Sequence, residues 1–181
     1  MDIKKIINSI LIFSIKRIIE ILGIGISIVG LLLFISLISY SPDDPNFIFP
    51  ENTEIKNLLG FQGSYVSDIF FQSIGIISYL VPITLFITGI NIFSNKDLFL
   101  IIENLFFSIL YCLLGALFLS FFYDSAFNLY INGNGGFVGN YLNQNLLGDL
   151  INLQKNISYY ILLILIFSLF LVSINFRPKI I

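Results

Sequence analysis

ILGIGISIVGLLLFISLIS, Ile21 to Ser39, is a run of nineteen residues without a charge. About 20 apolar residues in a helix are what a bilayer requires. Three further stretches meet that requirement: 69–93, 98–122 and 157–174. Lipid offers nothing to satisfy the backbone of an open strand, so each stretch must be helical. The composition agrees. The chain is 57% hydrophobic and 11% charged, whereas a soluble domain carries about 25% charged residues. The expected fold is an all-α integral membrane protein of four transmembrane helices, with the bilayer as its first partner.

Charge placement sets the expected orientation. Lys4, Lys5, Lys16, Arg17, Lys96, Arg177 and Lys179 flank one side of the spans, and only Lys56 and Lys155 flank the other. Cations stay with the cytoplasm. Both chain ends and the tight turn Ser94–Asp97 are therefore expected inside, in an N-in/C-in arrangement. Two loops of about 30 residues, 40–68 and 124–156, face outward. Tyr40, Tyr65, Tyr123, Tyr159 and Tyr160 then fall near the outer interface, where amphipathic rings settle. The division that follows is a cytoplasmic amphipathic segment over 1–20, a four-span domain over 21–175 and a cytoplasmic tail over 176–181. Residues 3–19 read as a short helix lying along the inner interface. Lys16 and Arg17 end that run where a signal peptide would show small residues, so cleavage is not expected.

Little in the chain can do chemistry. There is no histidine, the commonest general base and metal ligand. No catalytic, cofactor-binding or metal site is expected, and no enzyme activity. Glu103 is the one acid well inside a span. At roughly 8 Å from the inner end it reads as a structural group within reach of Lys16 or Arg17. Gly133-Asn134-Gly135-Gly136 lacks the Lys-Ser/Thr that a phosphate loop needs and reads as a turn. Asp43 and Asp44 lie between Pro42 and Pro45 and read as turn residues, because a calcium loop needs more oxygen ligands at set spacing. No basic cluster is rich enough to hold nucleic acid.

Small residues recur at helical spacing. Gly23, Ser27 and Gly30 line one face of the first span, and Ser108, Cys112, Ala116 and Ser120 one face of the third. Such stripes let backbones approach closely, either within one bundle or between subunits. Pro82 is expected to kink the second span. The two outer loops also echo each other. GFQGSYV (60–66) and GFVGNYL (136–142) share glycine, phenylalanine, glycine and tyrosine at equal offsets. The echo marks either a duplicated hairpin in parallel topology or coincidence in a chain rich in these residues.

The stretch SYSPDDPNF (39–47), followed by Asn57, Gly60, Gly63, Tyr65, Asp68, Gly75 and YLVP (79–82), resembles the N-terminal membrane domain of the FtsK/SpoIIIE family of bacterial DNA translocases. Gly135, Gly136, Gly139 and Gly148 in the second outer loop fit the same domain. The resemblance covers about residues 15–181. It implies an inner-membrane anchor at the division septum, supporting cell division and chromosome segregation. It also implies homo-oligomerisation and contacts with other division proteins. Tyr40, Pro42, Asp44, Pro45, Gly60, Gly63, Tyr65, Asp68, Gly136 and Gly139 become candidate structural or partner-contact positions. The family's ATP-driven motor has no counterpart before Ile181, so this chain is expected to anchor and not to translocate. A small four-helix transporter or channel subunit is the competing reading.

Overall fold

The computed structural model of the chain describes residues 3–45, 54–124 and 132–176. All regular structure among those residues is helical, with no strand: α1 (Ile3–Ile38), α2 (Gly60–Ile74), a 3-10 turn (Gly75–Tyr79), α3 (Leu80–Asn95), α4 (Phe99–Phe122), α5 (Gly136–Leu142), a π-helical turn (Asn143–Leu147), α6 (Gly148–Leu153) and α7 (Lys155–Ser173). Four helical stretches are long and apolar enough to cross a membrane: 7–38, 60–95, 99–122 and 155–173. The outer and inner ends are named below by the expected orientation.

Helices α1 and α3 form the first hairpin, and glycines set their separation. A Cβ on Gly23 would stand 2.7 Å from the Gly89 carbonyl oxygen, and one on Gly30 2.7 Å from the Phe86 amide nitrogen. Only backbones without side chains fit this seam. Ser27 donates across it to the Phe86 carbonyl at 3.1 Å. At the inner end Glu20 pairs with Arg17 and, at 3.0 Å, with Lys96 in the turn after α3. Helices α4 and α7 form the second hairpin. Its core joins Leu117, Leu162 and Ile151, with Tyr111 edge-on to Phe170 at 5.8 Å.

Polar groups tie the hairpins together at depth. The Thr84 hydroxyl lies 3.1 Å from the Tyr111 hydroxyl and 3.2 Å from that of Ser173. Asn104 donates to Thr88 at 2.8 Å and to the Asn175 side chain at 2.9 Å. Such bonds join helices that share no hydrophobic driving force within lipid.

Several expectations change. The stretch expected as a second span over 69–93 is divided. Gly63 O accepts from Ser36 at 2.6 Å, and Tyr79, sixteen residues on, still reaches Leu37 O at 3.4 Å. A helix descending beside α1 would have moved about 24 Å in that distance. Helix α2 therefore lies across the outer end, and α3 alone descends. The bend is not at Pro82. That residue sits in the first turn of α3, where its missing N–H sacrifices no helical bond. The chain breaks at Gly75, with φ +69°, a conformation open to glycine. The segment 3–19 is not a separate helix but the first turns of α1, which runs on unbroken past residue 20. Glu103 is exposed and joins none of the ion pairs among the described residues; Arg17 pairs with Glu20 instead. Arg177 and Lys179 lie outside the described residues, as do the side chains of Lys4 and Lys5.

Two glycines two residues apart test the seam. Gly23→Ala should destabilise the protein by about 1–3 kcal/mol through overpacking. Gly25, whose Cβ would meet nothing within 4 Å, should accept alanine without loss. Thermal unfolding of both variants in detergent reads the difference, and equal melting temperatures would refute the close approach.

Candidate functional site

The motif residues converge on the outer end of the bundle. Asp44 is the hub of the first cap. Its carboxylate is buried and accepts from the backbone N–H groups of Lys56 and Asn57, each at 2.8 Å. A carboxylate taken from water needs such donors, and charge-assisted bonds to backbone N–H are among the stronger ones. Asn57, also buried, donates to the Ser36 carbonyl at 2.9 Å and accepts from the Leu59 N–H at 3.1 Å. It thereby ties the loop to the last turn of α1.

Helix α2 docks on this loop through a polar face. Ser64 donates to the Pro45 carbonyl at 2.8 Å, and Ser67 to Gly63 O at 2.8 Å. The Tyr40 hydroxyl donates to Asp68 at 3.2 Å, and its ring packs 4.8 Å from that of Phe71. Gly63 has no room for a side chain, because a Cβ would lie 2.1 Å from Asn57 Oδ1. Pro45 is buried, while Pro42 and Asp43 are exposed. Asp43 pairs with Lys56 at 2.9 Å, and that carboxylate raises the Lys56 ammonium above its ordinary value. The pair is exposed, so it contributes little to stability.

The second cap repeats the plan. Gly135 and Gly139 both press on Ala116 O, where a Cβ would stand at 2.3 and 2.2 Å. Ser120 donates to Asn140 at 2.6 Å, and Asn140 to the Asn132 carbonyl at 2.8 Å. Ile151, sixteen residues beyond Gly135, still packs on Leu117. The segment from α5 to α6 thus lies across the outer end of α4. The two caps meet at Gly75, whose Cβ would fall 1.8 Å from Asn134 O. That oxygen accepts from Ile76 N–H at 2.9 Å, while the Asn134 side chain donates to the Tyr123 carbonyl.

The sequence echo is a structural one. Gly60 (φ +65°) and Gly136 (φ +63°) each open a helix. Phe61 stacks on Tyr65 at 6.4 Å and 22°, and Phe137 on Tyr141 at 6.3 Å and 25°.

Ala116 and Ser120 face α5, Cys112 is buried, and Ser108 donates to the Asn104 carbonyl at 2.7 Å. Sequence reasoning missed Asn134, Asn140 and Glu20 as organising residues. Their partners are mostly backbone groups or lie far along the chain. No cluster of three metal-ligating side chains occurs among the described residues. The arrangement holds the described backbone of the outer segments against the ends of α1 and α4. Among the described residues it brings no nucleophile to a base.

Comparison with known proteins follows the same lines. The family described as the 4TM region of DNA translocase FtsK/SpoIIIE matches residues 15–178. The DNA translocase FtsK of Rickettsia bellii is 38% identical over 71 residues, covering 39% of this chain and 10% of that protein. That of Azospirillum brasilense is 32% identical over 87 residues, covering 47% and 14%. The matched stretches thus span about a tenth of these relatives' length. No solved structure matches the chain.

Substitution at the junction should be costly. Gly75→Ala combines a strained φ with a clash against Asn134 O and should lower stability by more than Gly60→Ala, whose Cβ would meet nothing within 4 Å. Both share the positive φ, which alone costs about 1–2 kcal/mol. Chemical unfolding of the two variants in detergent checks this, and a smaller loss for Gly75→Ala would contradict the junction.

Proposed function

This chain belongs to the family defined by the 4TM region of DNA translocase FtsK/SpoIIIE, and on that footing we propose that it is the membrane-anchoring part of an FtsK-like translocase. It tethers that machine to the inner membrane at the division septum and so supports cell division and chromosome segregation. The observation that carries this reading is the family match over 15–178, which takes in both hairpins and both outer caps. The machinery of the bundle suits an anchor. Its deep polar groups bond one another across α3, α4 and the end of α7, a glycine seam closes α1 on α3, and apolar side chains close α4 on α7.

Homo-oligomerisation and contact with other division proteins belong to the same proposal. Buried Asp44, Pro45 and Gly63 shape the first cap, and exposed Pro42 and Asp43 offer the contact surface on it. DNA is not a direct ligand of this chain in this reading. Against the transporter or channel alternative, the deep network among the described residues joins only hydroxyl and amide side chains.

A fluorescent fusion imaged in dividing bacteria tests the proposal. The unaltered chain should concentrate in a band at the septum. Gly63→Leu, which drives a side chain into Asn57, should spread evenly around the membrane at equal abundance. Even distribution of the unaltered chain would overturn the septal reading.

A further inference from the structure

Helix α2 buries mostly small and polar residues, Gly63, Ser64, Ser67 and Asp68, with Phe71 as its one fully buried ring, and its exposed face carries Phe61, Val66 and Ile69 beside Gln62. A helix facing water does the reverse. The segment from α5 to α6 carries an exposed apolar stripe, Phe137, Tyr141, Leu146, Leu150 and Leu153, beside exposed Asn145, Asp149 and Asn152. Half of its open surface suits lipid and half suits water, the pattern of a helix lying in an interface.

Depth supports the same occupant. On α1, Glu20 marks the inner end through its pair with Lys96, and Ser39 marks the outer cap through its bond to Leu58 N–H at 3.1 Å. Nineteen residues of helix separate them, about 28 Å, close to the roughly 30 Å of bilayer hydrocarbon. Helix α2 crosses at the level of Leu33 to Tyr40, near the outer limit that this length sets. The segment from α5 to α6 crosses α4 at Ala116 to Ser120 and meets the C-terminal end of α2 through Asn134 and Gly136.

We propose that these two crosswise segments form an outer-leaflet interface layer, with the matched stacks Phe61–Tyr65 and Phe137–Tyr141 seated in lipid as twin anchors of equal depth. Aromatic rings are favoured at that boundary. The duplication then has a physical use. Each hairpin is pinned at the same level by its own Phe–Tyr stack, which keeps the chain from sliding along the membrane normal. The inference does not depend on the translocase reading; it concerns only where the caps sit.

The chain contains no tryptophan, so Phe61→Trp and Phe137→Trp each introduce a single tryptophan that red-edge excitation selects over the tyrosines. The variants are reconstituted into phosphatidylcholine vesicles carrying bromine high on the acyl chain, or near its end, or with iodide in the aqueous phase. Both emitters should be blue-shifted and lose most intensity to the shallow bromine, with little loss to iodide. Strong quenching by iodide at either position would place that stack in water, as a surface for a protein partner. Strongest quenching by deep bromine, or unequal depths at the two positions, would likewise overturn the proposal. If a tryptophan variant loses helix content, nitroxide labels on Phe61→Cys and Phe137→Cys in a Cys112→Ser background read the same depths. Shallow, equal burial is then the expected result, and any other depth the contrary one.

Discussion

Backbone amides and carbonyls that leave a helix at the edge of a membrane must find partners, and this requirement shapes the outer half of the protein. Water is scarce there, and an unsatisfied buried polar group costs about 1–3 kcal/mol. Asp44 answers for the amides of Lys56 and Asn57, Asn57 for the carbonyl of Ser36, and the Asn134 carbonyl for the amide of Ile76. Each of these bonds joins segments distant in sequence. Together they hold the described parts of the two outer segments against the helix ends. With the caps fixed, α3 and α7 enter the bilayer at set points, and the glycine seam between α1 and α3 comes into register.

The two hairpins solve one problem by related means. In each, a long helix rises, the chain crosses its outer end from a positive-φ glycine, and a second helix descends. The crossing needs a close approach, supplied by Gly63 in one copy and Gly139 in the other. The copies differ in what receives them. Gly63 meets a loop organised by Asp44 and Asn57, whereas Gly139 rests directly on the α4 backbone at Ala116. The first cap is therefore held by side chains reaching backbone, and the second chiefly by backbone lying on backbone. Their meeting at Gly75 and Asn134 couples the hairpins at the outer end, while Thr84, Tyr111 and Asn104 couple them at depth.

Much of this architecture is legible in the amino-acid sequence. The four-helix membrane class follows from apolar run length, a coarse property fixed by bilayer thickness. The GFxGxY echo points to paired elements because glycine there carries a backbone constraint. The crosswise course of α2 is not legible, since Phe70 and Phe71 continue into Ile74, Ile76 and Ile77 without a change in hydropathy. A run of apolar residues does not say whether it meets lipid end-on or side-on. Asn57 and Asn134 give no periodic signal, because their partners are backbone groups of remote segments. Glu103 draws attention as an acid in a span, yet Glu20, one position before the expected start of the first span, makes the ion pair that joins α1 to the turn after α3. The septal and partner roles of Tyr40, Pro42 and their neighbours stand as proposals resting on family membership.

Amide hydrogen exchange on the protein in lipid nanodiscs tests the central claim most directly. If side chains and remote carbonyls satisfy the cap backbone, the amides of Lys56, Asn57 and Ile76 exchange as slowly as those within the spans, and Asp44→Ala releases the first two while leaving Ile76 protected. Exchange at all three positions at the rate of an open surface loop would contradict the account.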